Sequence, residues 1–181
     1  MIKIVNFLTI VRLSLGIVIF ILIAYKSSYM PAFILFVFAG LTDYFDGYLA
    51  RKYDAVSDLG EILDPIADKI LIVFIFFGLS VNLSSYLVAL SAAIIVSREI
   101  WISALRDYNS RNNNFSATKV TQIAKYKTAV QLFTISVYLF GLAFNNMLML
   151  IVGDIFLIAS VLITTYTGYV YTYQSIVFNK K

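Results

Sequence analysis

The sequence contains neither cysteine nor histidine. These absences remove disulfides, thiolate or imidazole metal sites, cysteine nucleophiles and histidine bases together. Any acid–base or metal chemistry therefore falls to Asp, Glu, Lys, Arg or Tyr. Charge is scarce as well. Only 13% of the 181 residues are charged, whereas 61% are hydrophobic and the mean hydropathy is +0.87; soluble domains carry roughly 25% charged residues. A soluble chain this short cannot hide so much apolar surface, so its solvent is lipid. The net charge of +4 fits nucleic acid or an anionic membrane surface in principle. Hydropathy already demands a bilayer, so the surplus reads as positive-inside bias: membrane lipids are expected partners and nucleic acid is not.

Charge-free runs locate the membrane spans. They cover residues 13–25, 27–42, 70–97, 128–153 and 155–179, and a helix needs about 20 residues to cross the hydrocarbon core. Ser80, Asn82, Ser84 and Ser85 interrupt one long run, and Asn145 and Asn146 another, each reading as a tight turn between antiparallel helices. The expected spans are 6–25, 31–51, 65–79, 86–105, 122–143 and 147–173, and the polar segment 107–121 is expected to be a loop. Lys3 precedes an apolar run as in a signal peptide. Asn6 and Arg12 interrupt that run and no small-x-small cleavage site follows, so a retained first helix is expected.

Lysine and arginine are absent from the turns at 80–85 and 144–146 and cluster at the opposite helix ends. Both termini and the polar segments are thus expected on the cytoplasmic side of the cell membrane.

Seven of the ten acidic residues lie between positions 43 and 68. Asp43, Asp46, Gly47 and Ala50 follow i, i+3, i+4, i+7, which is one helical face; Gly60, Asp64 and Asp68 follow i, i+4, i+8, also one face. Two adjacent helices can therefore point four carboxylates into one space, with small residues beside them that let a ligand approach the backbone. A solvated acidic loop is the ordinary alternative. It accounts poorly for acids that continue apolar helices, where each ionised side chain costs roughly 2.5–3.5 kcal/mol at membrane depth. Crowded carboxylates repel and take up protons unless a cation neutralises them, and an all-oxygen donor set suits Mg²⁺ or Mn²⁺.

The pattern D-x2-D-G-x2-A-R-x8-G-x3-D-x3-D is met from Asp43 to Asp68. It resembles the CDP-alcohol phosphotransferase family. The resemblance implies an all-α integral membrane protein, with residues 1–181 as one domain. It would be a bundle of six transmembrane helices with a polar active-site cavity open to the cytoplasmic side, assembled as a homodimer. It implies two Mg²⁺ (or Mn²⁺) ions per active site, held by Asp43, Asp46, Asp64 and Asp68, with Asp68 also the general base. It implies a CDP-diacylglycerol contact set: Arg51 at the diphosphate, Gly47, Ala50 and Gly60 against the nucleotide, and Ser57 beside it. Asn6, Thr9 and Arg12, spaced i, i+3, i+6, read either as a polar helix end or, through the family's N-terminal signature, as substrate-facing residues.

Two further segments, 97–106 and 124–131, together with Asp64–Lys69, resemble the branch of the family whose acceptor is glycerol 3-phosphate; that branch usually has Gly where this chain has Ala124. A dianionic acceptor needs cations, and Arg98, Arg106, Lys125 and Lys127 are the candidates, since Arg forks match phosphate. Lys125 and Lys127 could instead face lipid headgroups, and Arg98 could be a structural ion pair. Sister enzymes making cardiolipin or phosphatidylinositol phosphate stay open at this point. So, more remotely, do a cation channel or transporter, which would call for broken helices and repeat symmetry, and an inactive scaffold.

The charge asymmetry carries a direct test. Single cysteines at Ser84 and Asn145 are expected to react with a membrane-impermeant thiol reagent on intact cells, and one at Ser110 only after lysis. The reverse pattern would invert the orientation.

Overall fold

A computed structural model describes the backbone of residues 2–25, 28–52, 58–112 and 122–178, and side chains for 9–25, 28–42, 63, 66–112 and 126–177. The described residues form six helices and no strand: α1 (Ile2–Ala24), α2 (Tyr29–Lys52), α3 (Asp58–Leu83), α4 (Tyr86–Arg111), α5 (Gln122–Ala143) and α6 (Met147–Phe178). Ile66–Leu83, Tyr86–Arg111 and Met147–Val177 are each long and apolar enough to cross a membrane, and Thr9–Ala24 and Tyr29–Thr42 are shorter apolar stretches. The chain is an all-α, multi-pass membrane protein.

The helices outrun the charge-free runs, for local physical reasons. Ser80 and Asn82 sit inside α3 rather than in a turn. Ser80 Oγ donates to the Phe77 carbonyl at 2.8 Å, while Asn82 Nδ2 donates to the Ile23 carbonyl at 2.8 Å and to Tyr29 Oη at 2.9 Å. Asn82 thereby satisfies a carbonyl at the end of α1 and ties three helices together. An unpaired carbonyl facing lipid would cost several kcal/mol. The turn itself is only Ser84–Ser85. Ser84 takes φ 49°, the Ser85 amide donates back to the Ser80 carbonyl at 3.3 Å, and the Ser85 side chain caps α4 at the Val88 amide.

The α5–α6 turn is built the same way. Asn145 has φ 52°, the Asn146 amide donates to the Gly141 carbonyl at 2.8 Å, and Asn146 Oδ1 accepts from the Leu148 and Met149 amides. At the other end, residues 107–111 continue α4 instead of beginning a loop. An Arg111–Asp107 ion pair of 2.8 Å and reciprocal Asn109–Ser175 hydrogen bonds to α6 support the extra turn.

The core gathers Ile19, Ile23, Phe36, Leu71, Ile75, Phe76, Leu79, Ile95, Ile135, Leu139 and Leu157 from all six helices. The backbones of α1 and α3 come close at Gly16, where an added Cβ would stand 3.3 Å from Leu71 Cα. The outer surface is apolar: Ile151, Ile155, Ile158 and Leu162 on α6 and Ile17, Val18 and Ile21 on α1 are exposed. Many polar side chains face inward instead, among them Arg12, Arg98, Asn109, Lys127, Gln131, Thr164 and Thr167. Lipid outside and a polar interior toward one end of the bundle position the site described next.

Candidate active site

Asp68 lies on α3, two residues into its apolar stretch Ile66–Leu83. Arg12, from the facing turn of α1, donates Nη1 to Asp68 Oδ1 at 2.8 Å. The arginine side chain is 1% exposed and the carboxylate 41% exposed, so the pair presents the acid and hides the base. Beside Asp68 opens a cavity of about 430 Å³ between α3, α4 and α5. Among the described residues its charged lining is Asp68, Lys69, Arg98, Glu99, Arg106 and Lys127, four cations against two carboxylates.

Glu99 organises those cations. Its Oε1 accepts from Arg98 Nη1 at 2.9 Å and from Lys127 Nζ, and its Oε2 is 3.9 Å from Lys69 Nζ. The Lys69 ammonium also donates to Ser103 Oγ at 2.7 Å. Arg98 and Lys127 are 9% and 7% exposed, respectively. Two buried cations from α4 and α5 thus share one partly buried carboxylate. Removing one partner of such a cluster costs roughly 3–5 kcal/mol, because the charges left behind are uncompensated in low dielectric. Behind the cavity, Arg98 Nη2 donates to Thr167 Oγ1 at 2.9 Å and Gln131 Nε2 to Thr164 Oγ1 at 3.2 Å, both on α6. Arg106 lines the cavity and stands over the Tyr171 ring, 5.8 Å from its centroid.

The structure joins Asp68, Arg98, Arg106 and Lys127 around one cavity. Lys127 is a buried ion-pair partner, so its headgroup-facing alternative is excluded. Arg98 is indeed ion-paired, with Glu99 rather than with an aspartate of the motif, while also lining the cavity. Thr9 is buried on α1 one turn before Arg12. Asp43, Asp46, Gly47, Ala50 and Arg51 fall on the last turns of α2, and Gly60 and Asp64 on the first turns of α3. Their side chains, and those of Asn6 and Lys125, lie outside the described residues, as does all of Ser57. Among the described residues no three Asp or Glu side chains group as metal ligands. Sequence reasoning missed Lys69, Glu99 and Ser103 as site residues. Glu99 alone carried a signal, as an acid next to Arg98 in the apolar part of α4, within the charge-poor stretch between Lys69 and Arg106.

A model of the CDP-alcohol phosphatidyltransferase family matches residues 2–166. The chain belongs to the CDP-alcohol phosphatidyltransferase family. Members of this family generally depend on divalent metal ions. Among its relatives, a Rickettsia bellii protein is 37% identical over 170 residues, covering 92% of this chain and 91% of that one. A Rickettsia typhi protein is 36% identical over 171 residues, covering 92% and 93%. One from Blochmanniella floridana is 35% identical over 156 residues, covering 85% and 80%. All three bear the name CDP-diacylglycerol–glycerol-3-phosphate 3-phosphatidyltransferase. In this family member Asp68, the last motif aspartate, lines the cavity together with the cations of α4 and α5.

The shared carboxylate makes a double-mutant cycle informative. Glu99→Gln and Lys127→Met are each expected to lower the thermal midpoint of the purified protein, and the double variant to lose less than the sum of the two. Strict additivity would mean that the two side chains do not act as a pair.

Proposed function

We propose that the protein transfers the phosphatidyl group of CDP-diacylglycerol to the C1 hydroxyl of glycerol 3-phosphate, giving phosphatidylglycerol phosphate and CMP. The observation that carries this reading is the cation-rich cavity beside Asp68. Among the described residues four cations face two carboxylates there, a surplus that the dianionic phosphate of the acceptor would neutralise. A neutral acceptor would leave that charge uncompensated in a low-dielectric setting. The names borne by relatives of similar length support the same reaction.

The donor diphosphate would lie toward the ends of α2 and α3, with Arg51 at its phosphates, Gly47, Ala50, Ser57 and Gly60 against the nucleotide, and Asn6 and Thr9 nearby. Arg12 would hold Asp68 in place through the ion pair at 2.8 Å. Arg106 and Lys125, with Lys127 and Arg98 anchored behind them, would seat the acceptor phosphate and so aim its C1 hydroxyl at the phosphatidyl phosphorus. Asp68 would take the proton of that hydroxyl. The new P–O bond forms as the bond to CMP breaks, and Arg51 would balance the charge on the departing CMP. Asp43, Asp46, Asp64 and Asp68 form an all-oxygen donor set that fits two Mg²⁺ or Mn²⁺ ions. When bound, such ions supply positive charge to the diphosphate.

The distribution of Lys and Arg supports placing both termini and the cavity on the cytoplasmic side of the cell membrane. There CDP-diacylglycerol could enter from the leaflet with its tails in lipid. A homodimer is the assembly proposed from family resemblance, and cross-linking in native membranes tests it, a purely monomeric species counting against it.

The test of the reaction is CMP release by the purified protein with CDP-diacylglycerol and a panel of acceptors. Turnover is expected with glycerol 3-phosphate, to vanish in EDTA and to return with Mg²⁺ or Mn²⁺. Arg106→Ala is expected to raise the KM for glycerol 3-phosphate about ten- to a hundredfold, as charge-assisted contacts of roughly 1.5–3 kcal/mol imply. Arg106→Lys is expected to recover only part of that loss. Equal turnover with free glycerol, or full activity in metal-free buffer, would defeat the reading.

A further inference from the structure

Arg98 and Arg106 stand two turns apart on α4, and both converge on one residue of α6. Their guanidinium carbons are each 5.8 Å from the centroid of the buried Tyr171 ring. The α6 residues behind the cavity, Thr164, Thr167, Gly168 and Tyr171, follow i, i+3, i+4, i+7, so they form one face of that helix. Thr167 accepts from Arg98 Nη2 while its own hydroxyl is committed to the Ile163 and Thr164 carbonyls, so the acceptor is fixed in direction. Gly168 leaves just enough room for the arginine stem. A Cβ there would stand 3.1 Å from Arg98 Cγ and 3.5 Å from its Nε, an atom that is buried with no hydrogen-bond partner among the described residues. Arg98 is therefore held by Glu99 at one nitrogen and Thr167 at another, with Gly168 along its stem and the Tyr171 ring 5.8 Å from its guanidinium carbon. The match to the family model ends at residue 166, before Thr167, Gly168 and Tyr171.

We propose that Gly168 and Tyr171 of α6 are positioning residues for the acceptor phosphate, setting from behind where the guanidinium groups of Arg98 and Arg106 lie in the cavity. The inference rests on the functional reading above, in which those arginines serve a phosphorylated acceptor. It adds that acceptor affinity is written partly in α6, a helix that contributes no residue to the charged lining of the cavity. The aromatic face is what matters at 171, because it is the face that the two cations share. At 168 it is the absence of a side chain.

Saturation kinetics for both substrates on the purified full-length protein test the proposal with Tyr171→Leu, Tyr171→Phe and Gly168→Ala. Tyr171→Leu and Gly168→Ala are expected to raise the KM for glycerol 3-phosphate at least fivefold, with the KM for CDP-diacylglycerol within twofold of the parent. Tyr171→Phe, which keeps the ring, is expected to stay within twofold for both. The proposal is overturned if Tyr171→Leu leaves both KM values unchanged, if both rise together, or if Tyr171→Phe is as impaired as Tyr171→Leu. Should Tyr171→Leu fail to fold, Gly168→Ala decides by the same criteria. A parent enzyme that does not turn over glycerol 3-phosphate would instead refute the functional reading itself, and this inference with it.

Discussion

The sharing of a single partly buried carboxylate, Glu99, among cations from three helices is the interaction on which the site depends. Arg98 on α4 and Lys127 on α5 both donate to its Oε1, and Lys69 on α3 stands 3.9 Å from Oε2. In a lipid-facing bundle none of these charges could be buried alone. Together they hold α3, α4 and α5 around a cavity whose charge surplus faces inward. The same network explains how cations can be concentrated next to Asp68 without collapsing onto it, because the buried Arg12 already occupies Oδ1 at 2.8 Å.

The bundle inverts the usual arrangement of a soluble protein only in part. An apolar core of Ile, Leu and Phe still fills the centre, and apolar side chains also cover the outside. Polar groups are placed where they close a backbone or side-chain need. Asn82 satisfies the end of α1, Tyr138 donates to the lone α6 acid Asp154 at 2.5 Å, and Asn109 pairs with Ser175. Where the polar seam of α4 and α6 reaches the cavity, Thr167 accepts from Arg98, which lines it.

Much of this organisation was legible from the sequence. The six helices followed from charge-free runs, because an ionised side chain at membrane depth is costly. The fixed motif from Asp43 to Asp68 resembles that of the family, while its helical phasing on two faces suggested only that the carboxylates converge. Other features were not legible, and for physical reasons. Ser80 and Asn82 resemble turn residues, yet the Asn82 partners lie on α1 and α2, more than fifty positions away. Lys127 read as an acceptor cation with a headgroup lysine as the alternative, and its pairing with Glu99 was not legible, because the two are 28 positions apart and only packing brings them together. Tyr171 is one of 13 tyrosines, and nothing local separates a belt tyrosine from one that supports two arginines. The metal-ligand aspartates remain readings of the motif, since only Asp68 among them has a described side chain.

The most direct test of the account is an experimental structure of the protein with glycerol 3-phosphate and Mg²⁺. The account predicts the acceptor phosphate inside the cavity, within about 3 Å of Arg106, with Glu99 still joined to Arg98 and Lys127 and the C1 hydroxyl facing Asp68. Phosphate bound elsewhere on the protein, or a cavity reached only after the Glu99 cluster breaks apart, would contradict it.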